Sequence, residues 1–207
     1  MVLKEKSFED PYGTVSVDEA GRIMDIRGSE PARGEGKGHT FIGIHVLEPE
    51  IFSLIPSGCF FEINQAVYPR LIEEGKPVWG FVTDSYWAEI GSHRAYLQAH
   101  RDFLNRHSFG VVSESELSLR ARLSAPVLIG KGCQIGDEAQ IGPMAVLGRG
   151  CHIGKGAVIE DSILWEKVTI GRGAHVRGSI IGYEATIDPD THAEDMVTSG
   201  GEWKKIG

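Results

Sequence analysis

Cysteine is scarce. Three residues in 207 make no disulfide framework, and the expectation is a reduced, cytoplasmic protein. Basic charge is in deficit: 21 Lys and Arg against 29 Asp and Glu leave a net charge of −8 with no basic stripe. Nucleic acid is therefore not an expected partner. A small phosphorylated ligand is compatible with this balance, because sites for small anions are local. Long hydrophobic runs are lacking as well. FIGIHVL (41–47) is far too short to span a bilayer. MVLKEKSFED is charged and has no apolar stretch of the signal-peptide kind, so no membrane association is expected.

Glycine is in excess, with 27 residues, many at fixed spacing. That spacing argues for repeated tight corners rather than a flexible linker. Residues 129–160 read IGKGCQIGDEAQIGPMAVLGRGCHIGKGAVIE, with an aliphatic residue returning every six positions. The marks are Ile129, Ile135, Ile141, Leu147, Ile153, Ile159, Leu164, Ile170, Val176, Ile181 and Ile187; two steps, after Ile159 and after Val176, are five residues long. Four residues after a mark stands a smaller or apolar residue, among them Cys133, Ala139, Cys151, Ile163 and Ile180.

A six-residue period fits neither a helix nor strand alternation. It is the hexapeptide signature of a parallel β-helix. Each repeat is a short strand and a corner. The large aliphatic fills the interior, the smaller residue fits beside it, and Gly serves where a corner demands unusual dihedrals. Coils then stack about 4.8 Å apart. Known hexapeptide proteins adopt the three-sided, left-handed form, although the period itself does not fix the hand. One coil is three repeats, which stacks Cys133 over Cys151 as small core fillers rather than as a redox pair. His152 and His175 fall on different faces and read as surface histidines. Trp165 reads as an outward-facing corner residue suited to an interface.

The first hundred residues read as mixed α/β. YGTVSVDEAGRIMDIR (12–27) is a hairpin turning at Asp18 to Gly21, and 28–39 is a loop rich in Gly and charge. FIGIHVL is expected to be a buried strand, and Pro49 to open a short helix. A helix over about 62–74 carries Ile63, Val67 and Leu71 on one face. PVWGFVTD (77–84) is a further strand, and Ser92 caps a helix running to about Asn105. That last helix bears His93, His100 and His107. Seven-residue steps place them about 10.5 Å apart along the axis, too far to share one ion, and His100 is expected to be satisfied and partly buried. No Ser-His-Asp or Cys-His spacing is present.

FIGIHVLEPEIFSLIP followed by INQAVYPRLIEEGKPVWGFVTDSYWAEIGSHRAYLQAHRDFL resembles the second half of the sugar-phosphate nucleotidyltransferase domain. The resemblance is nearest to mannose-1-phosphate guanylyltransferase-like enzymes, which append a left-handed β-helix, and it spans roughly residues 2–188. Its specific points are YG (Tyr12, Gly13), the strand with Gly43, and YWAEIG (86–91). The implied architecture is a partial α/β nucleotidyltransferase domain (1–108), a linker (109–125), an all-β left-handed parallel β-helix (126–188) and a loose or docking tail (189–207). The resemblance implies that Tyr12, Gly13, Gly43 and Trp87 bind a sugar 1-phosphate. It also implies that Glu89, where the family usually has Asp, helps hold Mg²⁺.

The family's Glu-Lys-Pro is matched only by Ser29-Glu30-Pro31, without the lysine, with Lys37 as the nearest substitute. The family's GxGTRL-type loop, its nucleotide-pocket strands and its first metal-binding Asp have no counterpart in these residues. The implied reaction is NTP plus sugar 1-phosphate to NDP-sugar plus pyrophosphate, of the GDP-mannose type. Because catalysis there is mostly positioning and charge neutralisation, no turnover is expected from this chain alone, and nucleotide would bind only with the other half. The apolar surface around FIGIHVL is expected to be covered by another chain in a homo- or hetero-oligomer, or else the region to be poorly ordered. Two alternatives are a non-catalytic oligomerising or regulatory subunit of such an enzyme and a hexapeptide acyltransferase; for the latter the coils offer no looped-out histidine.

Overall fold

The first strand, β1 (Val2–Glu5), lies inside the charged amino terminus. Its Leu3 is fully buried, which holds VLKE in a sheet despite its flanking charges. In this computed structural model, residues 1–6, 12–27, 38–107, 110–115, 117–199 and 201–206 are described. Ser29-Glu30-Pro31 and Lys37 lie outside the described residues. The chain divides into two compact units, Met1–Trp87 and Ala88–Gly207.

In the first unit, β2 (Thr14–Val17) and β3 (Ile23–Arg27) form the expected hairpin. Asp18 closes its turn, its Oδ1 accepting from the amides of Ala20 at 3.0 Å and Arg22 at 2.8 Å. β4 (His39–Phe41) pairs antiparallel with β1. A 3-10 turn (Pro49–Leu54) and α1 (Ile63–Glu73) follow, then β5 (Phe81–Thr83), parallel to β1. The sheet order is β3-β2-β4-β1-β5. Val67, Tyr68 and Leu71 of α1 pack with Leu3, Val15 and Ile23, as the helical period predicts.

FIGIHVL is not a buried strand. Pairing stops at Phe41, and Gly43 takes φ +88°. That left-handed residue breaks the alternation, so Ile44 is 53% and Val46 89% exposed. β1 still receives the segment irregularly, through Val2 N to Ile44 O at 3.0 Å.

The second unit holds α2 (His93–Arg106) and a three-sided parallel β-helix. Ser92 caps α2, its Oγ accepting from Ala95 N at 3.1 Å. Ladder one stacks Arg122–Leu123, Gln140–Ile141, Val158–Glu160, His175–Arg177 and His192–Glu194. Ladder two runs from Val111–Ser113 through Val127–Ile129, Ala145–Leu147, Ile163–Leu164 and Ile180–Ile181 to Met196–Ser199. Ladder three stacks Gln134–Ile135, His152–Ile153, Thr169–Ile170 and Thr186–Ile187. All eleven aliphatic marks are buried.

Three expectations are corrected here. The coils overrun 126–188 on both sides: residues 111–113 and 122–123 of the expected linker are already in ladders. The tail is not loose, because Met196–Ser199 extends ladder two and Glu202–Lys205 folds back antiparallel on it. Second, the Gly after a mark, Gly142 (φ 94°) excepted, is not there for its dihedral. A Cβ at Gly154 would sit 2.5 Å from the Arg172 amide nitrogen of the next coil, so the glycine exists for close backbone approach. The left-handed corner lies two residues later, where Glu138 (φ 61°) and Lys167 (φ 58°) take it as readily as Gly156 (φ 68°).

Third, Ile163 and Ile180 do not fill the interior. Each lies within a five-residue step, so the small inward position falls one residue earlier, on fully buried Ser162 and Ser179. Ile163 and Ile180 face outward and pack with Val197 under Leu97 of α2. Arg101 reinforces the seat, its Nε and Nη2 donating to Asp161 Oδ1 at 2.6 Å and Oδ2 at 2.5 Å. The two serines bond in series: Ser179 N donates to Ser162 Oγ at 3.1 Å and Met196 N to Ser179 Oγ at 3.0 Å. Cys133 and Cys151 stack in the core as expected. Each thiol donates to a backbone carbonyl at 3.1 Å, of Gly148 and Trp165 respectively. The neighbouring Cys133, and then burial, push the Cys151 thiol up.

Candidate functional site

A cavity of about 500 Å³ opens in the first unit between the β2–β3 hairpin, β4 and the first turn of α1. Tyr12 and Gly13 line it, together with Thr40, Phe41, Asn64 and Gln65. The hairpin delivers the first two. Lys6 Nζ donates to the Tyr12 carbonyl and, at 3.0 Å, to Thr14 Oγ1, which fixes the chain on either side of Gly13. Trp87 sits edge-on to Tyr12 with ring centroids 5.5 Å apart, so its indole buttresses the Tyr12 wall.

Thr40 and the two amide side chains carry no sequence signal of a site. Thr40 is 3% exposed, and its buried Oγ1 has no hydrogen-bond partner among the described residues. A buried hydroxyl in that state costs about 1–3 kcal/mol, and such exceptions mark functional positions or bound ligands and water. Asn64 and Gln65 are exposed in the first turn of α1. The helix start has no side-chain cap, and ahead of the Gln65 N–H, which donates to Glu62 O at 3.2 Å, the N–H groups of Ile63 and Asn64 can meet a ligand anion.

His45 lies next to this wall, edge-on to Phe41 at 4.6 Å and stacked on Tyr68 at 5.7 Å. Its Nδ1 is hydrogen-bonded to the Tyr68 hydroxyl. Partial burial, and then the amino-terminal charge, hold His45 below the ordinary histidine value.

Gly43 is not among the cavity's lining residues. Its left-handed φ accounts for the glycine, and a Cβ there would meet nothing within 4 Å. Glu89 is exposed and belongs to the second unit. Among the described residues no three His, Cys, Asp or Glu side chains are grouped to hold a metal ion. His100 is half-buried, with Nδ1 at 3.0 Å from the Tyr96 carbonyl, as its helix position predicts. His152 and His175 stand on different ladders. No helix among the described residues is long and apolar enough to cross a membrane.

Comparison with known proteins agrees with the two-part architecture. A family model described as nucleotidyl transferase matches residues 1–106. A second, described as the EIF2B subunit epsilon LbH domain, matches residues 106–200, so the coils are those of a left-handed β-helix. A UTP–glucose-1-phosphate uridylyltransferase from Synechocystis sp. is 27% identical over 170 residues, 75% of this chain and 44% of the relative. A mannose-1-phosphate guanylyltransferase from Mycobacterium tuberculosis is 25% identical over 158 residues, 73% of this chain and 42% of the relative. A glucose-1-phosphate thymidylyltransferase from Streptomyces antibioticus is 25% identical over 163 residues, 69% and 45% respectively. The chain thus spans less than half the length of these curated relatives.

Proposed function

The chain belongs to the nucleotidyl transferase family, and from that premise we propose that it supplies the sugar-1-phosphate side of a nucleotidyltransferase cleft, carried on a left-handed β-helix. The observation that carries this reading is the cavity that gathers Tyr12, Gly13 and Thr40 around an unpartnered hydroxyl. An aromatic wall beside polar groups suits a sugar ring: Tyr12, backed by Trp87, covers an apolar face. Thr40 Oγ1, Asn64 and Gln65 meet hydroxyls, and the uncapped start of α1 favours the phosphate. Three of the relatives are named for reactions on sugar 1-phosphates, which supports that substrate class; the GDP-mannose type is our choice among them.

In the proposed reaction a sugar phosphate oxygen attacks the α-phosphorus of a nucleoside triphosphate. The P–O bond to the β-phosphate breaks, and pyrophosphate leaves. This chain's part is to hold the attacking phosphate in line. Charge neutralisation on the triphosphate falls to groups outside these 207 residues, which contain no GxGTRL-type loop.

Isothermal titration calorimetry with mannose 1-phosphate, together with a pyrophosphate-release assay with GTP, tests both parts. Saturable sugar-phosphate binding without turnover is expected from the 207-residue polypeptide. Absence of binding, or turnover by that polypeptide alone, contradicts the proposal. A second reading, a non-catalytic regulatory or oligomerising partner, draws support from the β-helix match, whose model is named for a subunit of a larger assembly. It predicts stable association with a complete nucleotidyltransferase in size-exclusion chromatography.

A further inference from the structure

The outer surface of ladder one carries a grid of side chains that the proposed function does not use. In one column Val158 pairs with His175 and His175 with His192; in the next, Glu160 pairs with Arg177 and Arg177 with Glu194. The residues between, Ile159, Val176 and Ala193, point into the core and are buried. His175 and His192 are exposed, their rings stacked with centroids 4.7 Å apart and planes at 19°. A cleft of about 250 Å³ lies over them, lined also by Glu160, Arg177 and Glu194.

We propose that His175 and His192 form a two-imidazole site for a borderline divalent cation, Zn²⁺, Ni²⁺ or Cu²⁺, which clamps the last coil of the β-helix to the coil before it. Neutral imidazole is the commonest protein ligand for these ions. Two nitrogens bound at tetrahedral Zn²⁺ stand roughly 3.4 Å apart. The ring centroids are 4.7 Å apart, and rotation about the broad χ2 torsion of each exposed histidine turns a ring nitrogen of both toward one shared ion. The backbone is already held, with His175 N donating to Thr191 O at 2.8 Å, so binding orders only side chains.

Glu160 and Glu194 give the cleft negative charge. Arg177 opposes them but is held toward Glu194 at 4.0 Å. No third His, Cys, Asp or Glu is grouped with the pair among the described residues, so water completes the coordination. The consequence is structural. His192 belongs to the terminal strand of its ladder, where coils have a neighbour on one side only, and a bound ion ties it down.

The test titrates the full chain with NiCl₂ and with ZnCl₂ by calorimetry, and follows the histidine ring resonances by NMR. One ion per chain is expected, with the His175 and His192 rings perturbed first and amide exchange slowed over 192–194. The double variant His175→Gln, His192→Gln is expected to weaken binding at least about tenfold, a loss of about 1.4 kcal/mol. His152→Gln, on ladder three, is expected to leave binding unchanged. No saturable binding up to about 1 mM, an affinity of about −4 kcal/mol, overturns the proposal. So does binding that the double variant leaves intact, or binding that perturbs other histidine rings first. The NMR readout on the unaltered protein decides the matter without any variant.

Discussion

Thr40 is the residue at which stability and binding part company. Its hydroxyl is buried and unpartnered, so Thr40→Val replaces an unsatisfied polar atom by a methyl group of similar shape. The variant is expected to melt no lower than the parent by differential scanning calorimetry while binding mannose 1-phosphate about tenfold more weakly, roughly the worth of one lost hydrogen bond. A loss of stability with unchanged affinity would make Thr40 a structural residue. His45 sets a pH dependence. Its folded pKa lies below the unfolded value near 6.5, so below about pH 6.5 the unfolded chain takes up the proton first. The contribution is present above that pH and is lost on acidification through the folded value. Urea midpoints of the first unit are expected to fall between pH 7 and 5, and His45→Gln to flatten that slope. Neither residue was legible beforehand. FIGIHVL reads as one apolar strand until Gly43 breaks it, and the pairing of His45 with Tyr68 joins residues 23 positions apart.

The elements divide by how local their causes are. The coils were legible because each repeat states its own inward residue, and all eleven marks are buried. The role of the glycines was not, because the contact that requires Gly154 comes from a backbone one coil away. Gly154→Ala is therefore expected to destabilise the second unit by about 1–3 kcal/mol, the usual cost of overpacking. Glu138→Gly, at a left-handed corner (φ 61°), is expected to be near neutral, since relief of about 1–2 kcal/mol of strain offsets the added chain entropy. Thermal melts of the two variants separate close approach from dihedral demand. The seat of α2 was also hidden. A five-residue step looks like a missing residue, yet it turns Ile163 and Ile180 outward under Leu97. Arg101→Met keeps the aliphatic stem and removes the bidentate pair with Asp161. At one-third exposure that pair is worth about 1–2 kcal/mol after screening, and faster amide exchange in α2 is the expected sign.

At the scale of the molecule, β1 was missed because its central place in the sheet depends on β4 and β5, 34 or more residues downstream. The hairpin and both helices were legible from turn residues, period and cap. Of the expected site residues, Tyr12 and Gly13 meet in one cavity and Trp87 backs it, while Gly43 and Glu89 have other surroundings. β5 ends the sheet with Phe81 69% exposed, and Phe60 is 88% exposed on the same unit. In the proposed enzyme such surface meets further polypeptide, as an open strand edge does. The central claim, that this cavity is a sugar-1-phosphate site, is tested most directly by an NMR titration of the ¹⁵N-labelled chain with mannose 1-phosphate. Saturable shifts confined to Tyr12, Gly13, Thr40, Asn64 and Gln65, with the coil amides still, are predicted; no shifts, or shifts centred on the β-helix, would contradict it.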